Sequence, residues 1–377
     1  MDVVIAKKDL HRLVKRCQGI ADKKSAMPAL ANVLLSAEDG VLRVSATDMY
    51  LAVSGQATAE VAVPGSVAVP AKDLFERVGK MPEGPIQILT KDGTHTTLKA
   101  VGSPRRYTLH GIPGSDFPSL PQASADAPSL ELPTALLALL IKRTKFSISA
   151  DETRAHVNSA LLEWSGERVR MVSTDGHRLS KMEVTATGTS AVATMLIPKK
   201  AIDELGRLAD DATGEKEGSP VVTISQSGPS AFFSIAGMIF SVKLVDAQFP
   251  PYQQVIPAVT DRSIRAPREQ LERALDAVRV AASDRTGGVK LTTSSGCLRI
   301  TSESPESGNG FDEVGVDYTG PELTIGFNAQ YFVDVLHSID DDEVILGISG
   351  ELDPAVIRPG TESSQESYVA VVMPMRI

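Results

Sequence analysis

Three landmarks in the first third of this chain return, in the same order, about 130 residues further on. Val44-Ser45-Ala46-Thr47-Asp48 is echoed by Val172-Ser173-Thr174-Asp175. Val69-Pro70-Ala71-Lys72-Asp73-Leu74 is echoed by Ile197-Pro198-Lys199-Lys200-Ala201-Ile202. Tyr107 followed by Asp116-Phe117-Pro118 is echoed by Phe240 followed by Gln248-Phe249-Pro250. The last ten residues, Tyr368 to Ile377, end a third copy. Solenoid repeats run to about 20–50 residues, so a period this long specifies tandem globular domains. Gln122–Ser129 and Pro257–Ala266 are small-residue, Pro-containing stretches without periodicity, and read as linkers. The domains are therefore expected at 1–122, 130–257 and 262–377 of a chain of 377 residues.

Each third reads as short strands with two helices. Val41–Ala46, Val67–Val69, Ile86–Leu89, Val169–Val172, Val221–Ile224, Phe232–Ile235, Leu298–Ile300, Val344–Ile348 and Tyr368–Met373 are strand-length and rich in β-branched residues. Turn signals such as Glu38-Asp39-Gly40 and Lys91-Asp92-Gly93 join them as antiparallel hairpins require. The helices show a 3.6-residue period, as in Leu10, Leu13, Val14, Cys17 and Ile20, with Lys8, Arg12, Lys15 and Arg16 projecting elsewhere. Five of the six stretches place Lys or Arg outside the apolar stripe; Asn328–Ile339 has neither. The predicted class is α+β, three domains of antiparallel sheet with paired helices.

Formal net charge is −9, which at first sight speaks against a nucleic-acid partner. Binding depends on where the cations lie, however. Acidic runs such as Asp340-Asp341-Asp342-Glu343 fall in turns, while many basic residues fall on helices. If those helices faced one space, they would attract phosphates without reading bases. No apolar run approaches the ~18–20 residues that span a bilayer. Met1-Asp2-Val3-Val4-Ile5 opens straight into a strand and lacks the basic start of a signal peptide. Cys17 and Cys297 are expected to be buried thiols. The expectation is a cytoplasmic protein without a membrane partner.

Thr174-Asp175-Gly176-His177-Arg178 is the segment that most resembles an active site. It reads equally as a tight turn in which Asp175 accepts backbone N–H bonds. A nucleophile elbow, metal-ligand spacing, phosphate-cradling loop and dinucleotide fingerprint are all missing from the sequence. The expectation is no enzyme, no cofactor and no metal; a hydrolase built on Asp175 and His177 and an interaction scaffold without DNA are the alternatives.

Thr174-Asp175-Gly176-His177-Arg178-Leu179, Gln248-Phe249-Pro250-Pro251-Tyr252, Lys23-Lys24-Ser25-Ala26-Met27-Pro28-Ala29-Leu30 and Val371-Val372-Met373-Pro374-Met375-Arg376-Ile377 together resemble the bacterial DNA polymerase III β subunit family, the replicative sliding clamps. The likeness runs over the whole chain. It implies a head-to-tail homodimeric ring around double-stranded DNA, helices inside and sheets outside, that confers processivity. The DNA-facing residues it implies are Lys24, Arg77, Lys142, Arg143, Lys199, Lys200, Arg207 and Arg279.

The resemblance also implies a peptide pocket at Val157, Thr174, Gly176, His177, Arg178, Leu179, Pro250, Tyr252, Val255, Val371, Val372, Met373, Pro374, Met375 and Arg376. Its ligands would be clamp-binding peptides of the polymerase III α subunit, the clamp loader δ subunit, other polymerases and repair proteins. Gln254 stands where many members carry Arg. The implied dimer seam comprises Arg105, Arg106, Tyr107 and Leu109 against Ala281, Ala282, Glu306, Asp312 and Glu313. With small residues at 281 and 282, the seam is expected to be weak and to lean on its charges.

Overall fold

The computed structural model describes residues 1–21, 25–124, 126–186, 192–214, 221–282, 287–304, 308–361 and 363–376. Six α-helices occur among them: α1 at Lys7–Gln18, α2 at Ala71–Gly79, α3 at Thr134–Thr144, α4 at Lys199–Thr213, α5 at Arg268–Val278 and α6 at Ala329–Ser338. By compactness the chain divides into Met1–Ala135 with Arg207–Leu244, and Leu136–Gly206 with Val245–Ile377.

Each unit is built on a long antiparallel sheet, and the two sheets have the same wiring over eight strands, the first adding Ile112–Pro113 at its edge. In the first unit the strands lie in the order Ile112–Pro113, Gly65–Pro70, Asn32–Glu38, Val41–Thr47, Leu51–Thr58, Met238–Lys243, Ser230–Ile235, Val221–Ser227, Ser129–Pro133. In the second they run Val192–Pro198, Ser159–Ser165, Arg168–Thr174, Arg178–Thr185, Glu366–Val372, Ala355–Pro359, Glu343–Ile348, Arg262–Pro267. Register repeats as well. Thr47 lies opposite Ala52 and Thr174 opposite Leu179; Leu51 pairs with Val242 and Arg178 with Val372. The pairing thereby makes Met373 the counterpart of Lys243.

A smaller antiparallel sheet completes each unit. The first has Arg106–His110 at one edge of five strands, the second Gly308–Gly315 at one edge of four. Each is an edge strand with one side outside its sheet's ladder, and on the first of them Thr108 O accepts from Arg77 Nη1 at 3.2 Å.

The helices form where the 3.6-residue period demands. Helix α1 buries Leu10, Leu13, Val14 and Cys17, each leucine or valine contributing about 1.5–3 kcal/mol. Its seat depends on Gly55, where a Cβ would stand 2.1 Å from Met238 Sδ and 2.8 Å from Leu13 Cδ2. Helix α6 is capped by the preceding Asn328, whose side chain accepts from Gln330 N at 2.9 Å and satisfies one orphan donor. Every strand and helix expected from the sequence is present, most with ends shifted by a residue or two, while the strands expected at Val221–Ile224 and Leu298–Ile300 run on to Ser227 and Ser304. The final strand stops at Val372, one residue short of the expected Met373.

The thiols differ from each other. Cys17 is fully buried, and burial pushes its pKa up to about 12, which removes it from thiolate chemistry at neutral pH. Cys297 is only half-buried, against expectation, because it sits at the turn-proximal end of its strand.

Candidate functional site

The Thr174–Leu179 turn joins two strands of the second unit and is fixed by its own side chains. Thr174 Oγ1 donates to Arg178 O at 2.7 Å and accepts from Gly176 N at 3.1 Å. Asp175 Oδ1 accepts from the backbone N–H of His177 at 2.8 Å and of Arg178 at 3.0 Å, while its Oδ2 accepts from Arg178 Nε at 3.0 Å. Gly176 takes φ +95°, a left-handed conformation that a Cβ penalises. The Asp175 carboxylate therefore serves the turn, and His177 instead stacks on Tyr331 with ring centroids 6.4 Å apart.

Beside the turn lies an apolar floor of Leu161, Val172, Leu179, Leu196, Tyr252 and Val371, edged by the half-buried Val245, Phe249 and Ile256. Strand alternation brings it together. Leu161 pairs with both Val172 and Leu196, and Leu179 pairs with Val371, so their side chains share one face. Met373 and Val255 rise at the rim, 38% and 40% exposed. Pro250, Pro374 and Met375 are half-buried, and Arg376 is exposed. The chain end is held by Met373 N donating to His177 O at 2.9 Å and Met375 N to Gly326 O at 2.8 Å.

Tyr252 is the most constrained member of the floor. Its hydroxyl donates to Glu163 Oε2 at 2.8 Å and accepts from Arg170 Nη1 at 3.4 Å. Burial and the Glu163 carboxylate push this phenol above its ordinary range, with Arg170 pulling the other way. Arg170 Nε lies 3.0 Å from Glu183 Oε2, and Lys181 and Arg168 close on the same carboxylate. Burial pushes the Glu183 carboxyl up, but those cations outweigh it and hold it below its usual value.

Several expected site residues fall elsewhere. Val372 is fully buried and, being next to Val371 on a strand, points to the opposite face. Val157 is 3% exposed and stands outside the floor cluster. Arg178 is consumed internally: beyond Asp175 it binds Asp334 and Phe146 O, and lies over the Tyr331 ring at 4.5 Å. Leu161, Val172 and Leu196 were missed, although their alternation with Met171, Ser173 and Ile197 could have marked them as one face.

The basic helix faces need a larger correction. Helix α2 carries two basic and two acidic residues, α4 three and four, and α5 two and three, so only α1 and α3 are net positive. Arg143 is 6% exposed, packed over the Tyr368 ring at 5.2 Å and 3.6 Å from Asp340 Oδ2, and cannot face DNA. Lys142 pairs with Asp340 at 2.6 Å, Arg77 with Asp73 at 3.5 Å and Arg279 with Asp276 at 2.7 Å. Lys200 and Arg207 are exposed and Lys199 is half-buried. Lys24 lies outside the described residues.

At the expected seam, Leu109 and Ala282 are 1% and 4% exposed, already used by their own unit's packing. Ala281 is tucked against Gly310, where an added Cβ would stand 3.0 Å from Ala281 Cβ. Its small size is thus set within the chain. Glu313 is paired with Arg299 at 3.0 Å, Asp312 accepts from Glu313 N at 2.8 Å, and Arg105 donates to Lys80 O. Arg106 is exposed and Tyr107 half-buried, while Glu306 lies outside the described residues. Val280 and Phe311, which are not among the expected seam residues, are 80% and 65% exposed.

Among the described residues no group of His, Cys, Asp or Glu could hold a metal ion, and no helix is long and apolar enough to cross a membrane. Family models of the DNA polymerase III beta subunit match three consecutive stretches: its N-terminal domain at residues 1–121, its central domain at 131–251 and its C-terminal domain at 253–376. The beta sliding clamps of Pseudomonas aeruginosa and Caulobacter vibrioides are each 30% identical, with the whole of both chains covered. The crystal structure of the Pseudomonas aeruginosa DNA polymerase sliding clamp superposes with a TM-score of 0.92 at 30% identity over 100% of both chains. That of the Bartonella birtlesii sliding clamp, bound to griselimycin, gives 0.91 at 31% identity, again over 100% of both. The chain therefore belongs to the DNA polymerase III beta subunit family, whose three clamp domains it carries in order and over its full length.

Proposed function

We propose that this chain is a non-catalytic DNA sliding clamp whose second-unit pocket tethers the replicative polymerase by a short peptide. The observation that carries the reading is the apolar floor around Tyr252 with Met373 and Val255 left exposed at its rim. A hydrophobic anchor dropped onto such a floor, with polar groups at the edge, is how short linear segments gain affinity. The ligands would be segments of the polymerase III α subunit, the clamp loader δ subunit and other polymerases and repair proteins.

Two copies would join head to tail, the edge strand Arg106–His110 of one meeting the edge strand Gly308–Gly315 of the other, with Val280 and Phe311 supplying apolar contact. Pairing two free edges satisfies their backbone groups. Closed around duplex DNA, the ring needs few strong phosphate contacts, because topology prevents escape. Lys142, Lys199, Lys200, Arg207, Arg279 and Arg77 would supply loose, partly neutralised contacts compatible with sliding.

Loading the protein onto nicked circular DNA with a clamp loader, then linearising the circle, tests the ring. A clamp slides off the ends after cutting; a protein that never loads, or stays after cutting, is something else. Removing residues 373–377 or changing Tyr252→Phe should weaken a Gln-Leu-x-Leu-Phe peptide severalfold, and loader-dependent loading with it, while the protein stays folded and keeps its solution mass. Unchanged peptide affinity in both variants would refute the pocket assignment.

A further inference from the structure

The turn at Thr47–Ala52 in the first unit repeats the pocket turn of the second almost bond for bond. Thr47 Oγ1 donates to Leu51 O at 2.8 Å and accepts from Met49 N at 3.0 Å. Asp48 Oδ1 accepts from Tyr50 N at 2.9 Å and Leu51 N at 2.6 Å. Lys243 N donates to Tyr50 O at 2.9 Å, as Met373 N does to His177 O. Phe117-Pro118-Ser119-Leu120-Pro121 takes the place of Phe249-Pro250-Pro251-Tyr252-Gln253. Met49, Tyr50, Leu120, Pro121 and Lys243 line a cavity of about 280 Å³ there.

Its chemistry differs from that of the first pocket in ways that register makes explicit. Leu34 pairs with Ser45 and Ala68 where Leu161 pairs with Val172 and Leu196, and Ser241 opposes Ala52 where Val371 opposes Leu179. The side chains at these register positions are thus smaller and bear hydroxyls, and of them Ala52 lines the cavity, together with the hydroxyl-bearing Thr47, Ser119 and Ser230. At the rim, Met373 is replaced by Lys243, which has no ion-pair partner among the described residues. Met49 and Tyr50 stand 56% and 68% exposed. Met49 also holds φ +78°, where the counterpart is Gly176, so a large apolar side chain is kept at the lip against a backbone preference.

We propose that this cavity is a second peptide site, taking a short segment of a partner protein that carries one apolar side chain next to a carboxylate. The likeness to the first pocket is part of the reasoning, so the inference rests on that pocket's reading as a peptide site. The apolar group would enter between Met49, Tyr50 and Leu120, and the carboxylate would meet Lys243, the charge that the first pocket lacks at this position.

The full-length protein labelled at its methionine methyl carbons tests both sites in one NMR spectrum. The peptide Gln-Leu-Asp-Leu-Phe is added to saturation, reporting at Met373 and Met375. Acetyl-Leu-Phe-Asp-Asp-amide is then titrated, and the Met49 resonance should move and saturate. Its midpoint should rise at least tenfold for acetyl-Leu-Phe-Asn-Asn-amide or in Lys243→Glu, and Lys243→Met should bind the acidic and neutral peptides alike. A Met49 resonance that stays still at millimolar peptide overturns the proposal, as does a charge preference that survives in Lys243→Met. A Met49 response with none at Met373 and Met375 upholds the second site and refutes the reading of the first.

Discussion

Met49 occupies in one turn the backbone position that Gly176 occupies in the other, and both are left-handed, at φ +78° and +95°. The same hydrogen bonds enforce the same conformation on a residue that tolerates it and on one that does not. Only the glycine is free of the Cβ clash, which costs about 1–2 kcal/mol.

This gives a paired stability prediction. Gly176→Ala should destabilise by about 1–2 kcal/mol through backbone strain alone, since its Cβ would meet nothing nearer than Arg154 Nη1 at 3.9 Å. Met49→Gly should relieve comparable strain, offset by the ~0.5–1 kcal/mol entropic cost of glycine. Urea melts of both variants check this, and a destabilised Met49→Gly would contradict it.

Arg143 should behave as a structural residue. Arg143→Met removes the contact to Tyr368 and the ion pair with Asp340, and should cost about 1–3 kcal/mol. The salt dependence of DNA binding should not change, because a residue that releases no counterion leaves the slope alone. A slope shallower by about one unit would place Arg143 on the DNA after all.

Glu183 ties protonation to stability. Its folded pKa lies below the unfolded value, so its contribution is present above the unfolded carboxylate range of about pH 4–5 and lost as pH falls through the folded pKa. Thermal melts across acidic pH should show wild type losing more stability on acidification than Glu183→Gln. Parallel curves would mean that the Arg168, Arg170 and Lys181 cluster does not select the charged form.

The seam prediction follows from exposure. Val280→Asp together with Phe311→Asp should shift solution mass from dimer to monomer in a dilution series, with melting temperature little changed. Ala281→Ile should do the reverse, lowering protomer stability by about 1–3 kcal/mol through overpacking against Gly310. A dimer unaffected by both aspartates would move the seam elsewhere.

The strands, the helices and the Thr174–Leu179 turn were legible in the sequence because each depends on neighbours a few residues away. Period and short-range hydrogen bonding settle such features before any tertiary contact forms. The repeat was legible for the same reason, since Thr47-Asp48 and Thr174-Asp175 build one turn from one local chemistry. Tertiary structure alone decided what each side chain meets. Arg143 reads as one more exposed cation beside Lys142, until Asp340 and Tyr368 arrive from the far end of the chain and enclose it. Leu109 and Ala282 read as available seam residues, yet their own packing had already claimed them. The pocket floor was likewise hidden, because Leu161, Val172, Leu196, Tyr252 and Val371 become one surface only when sheet register and a folded-back loop set them side by side.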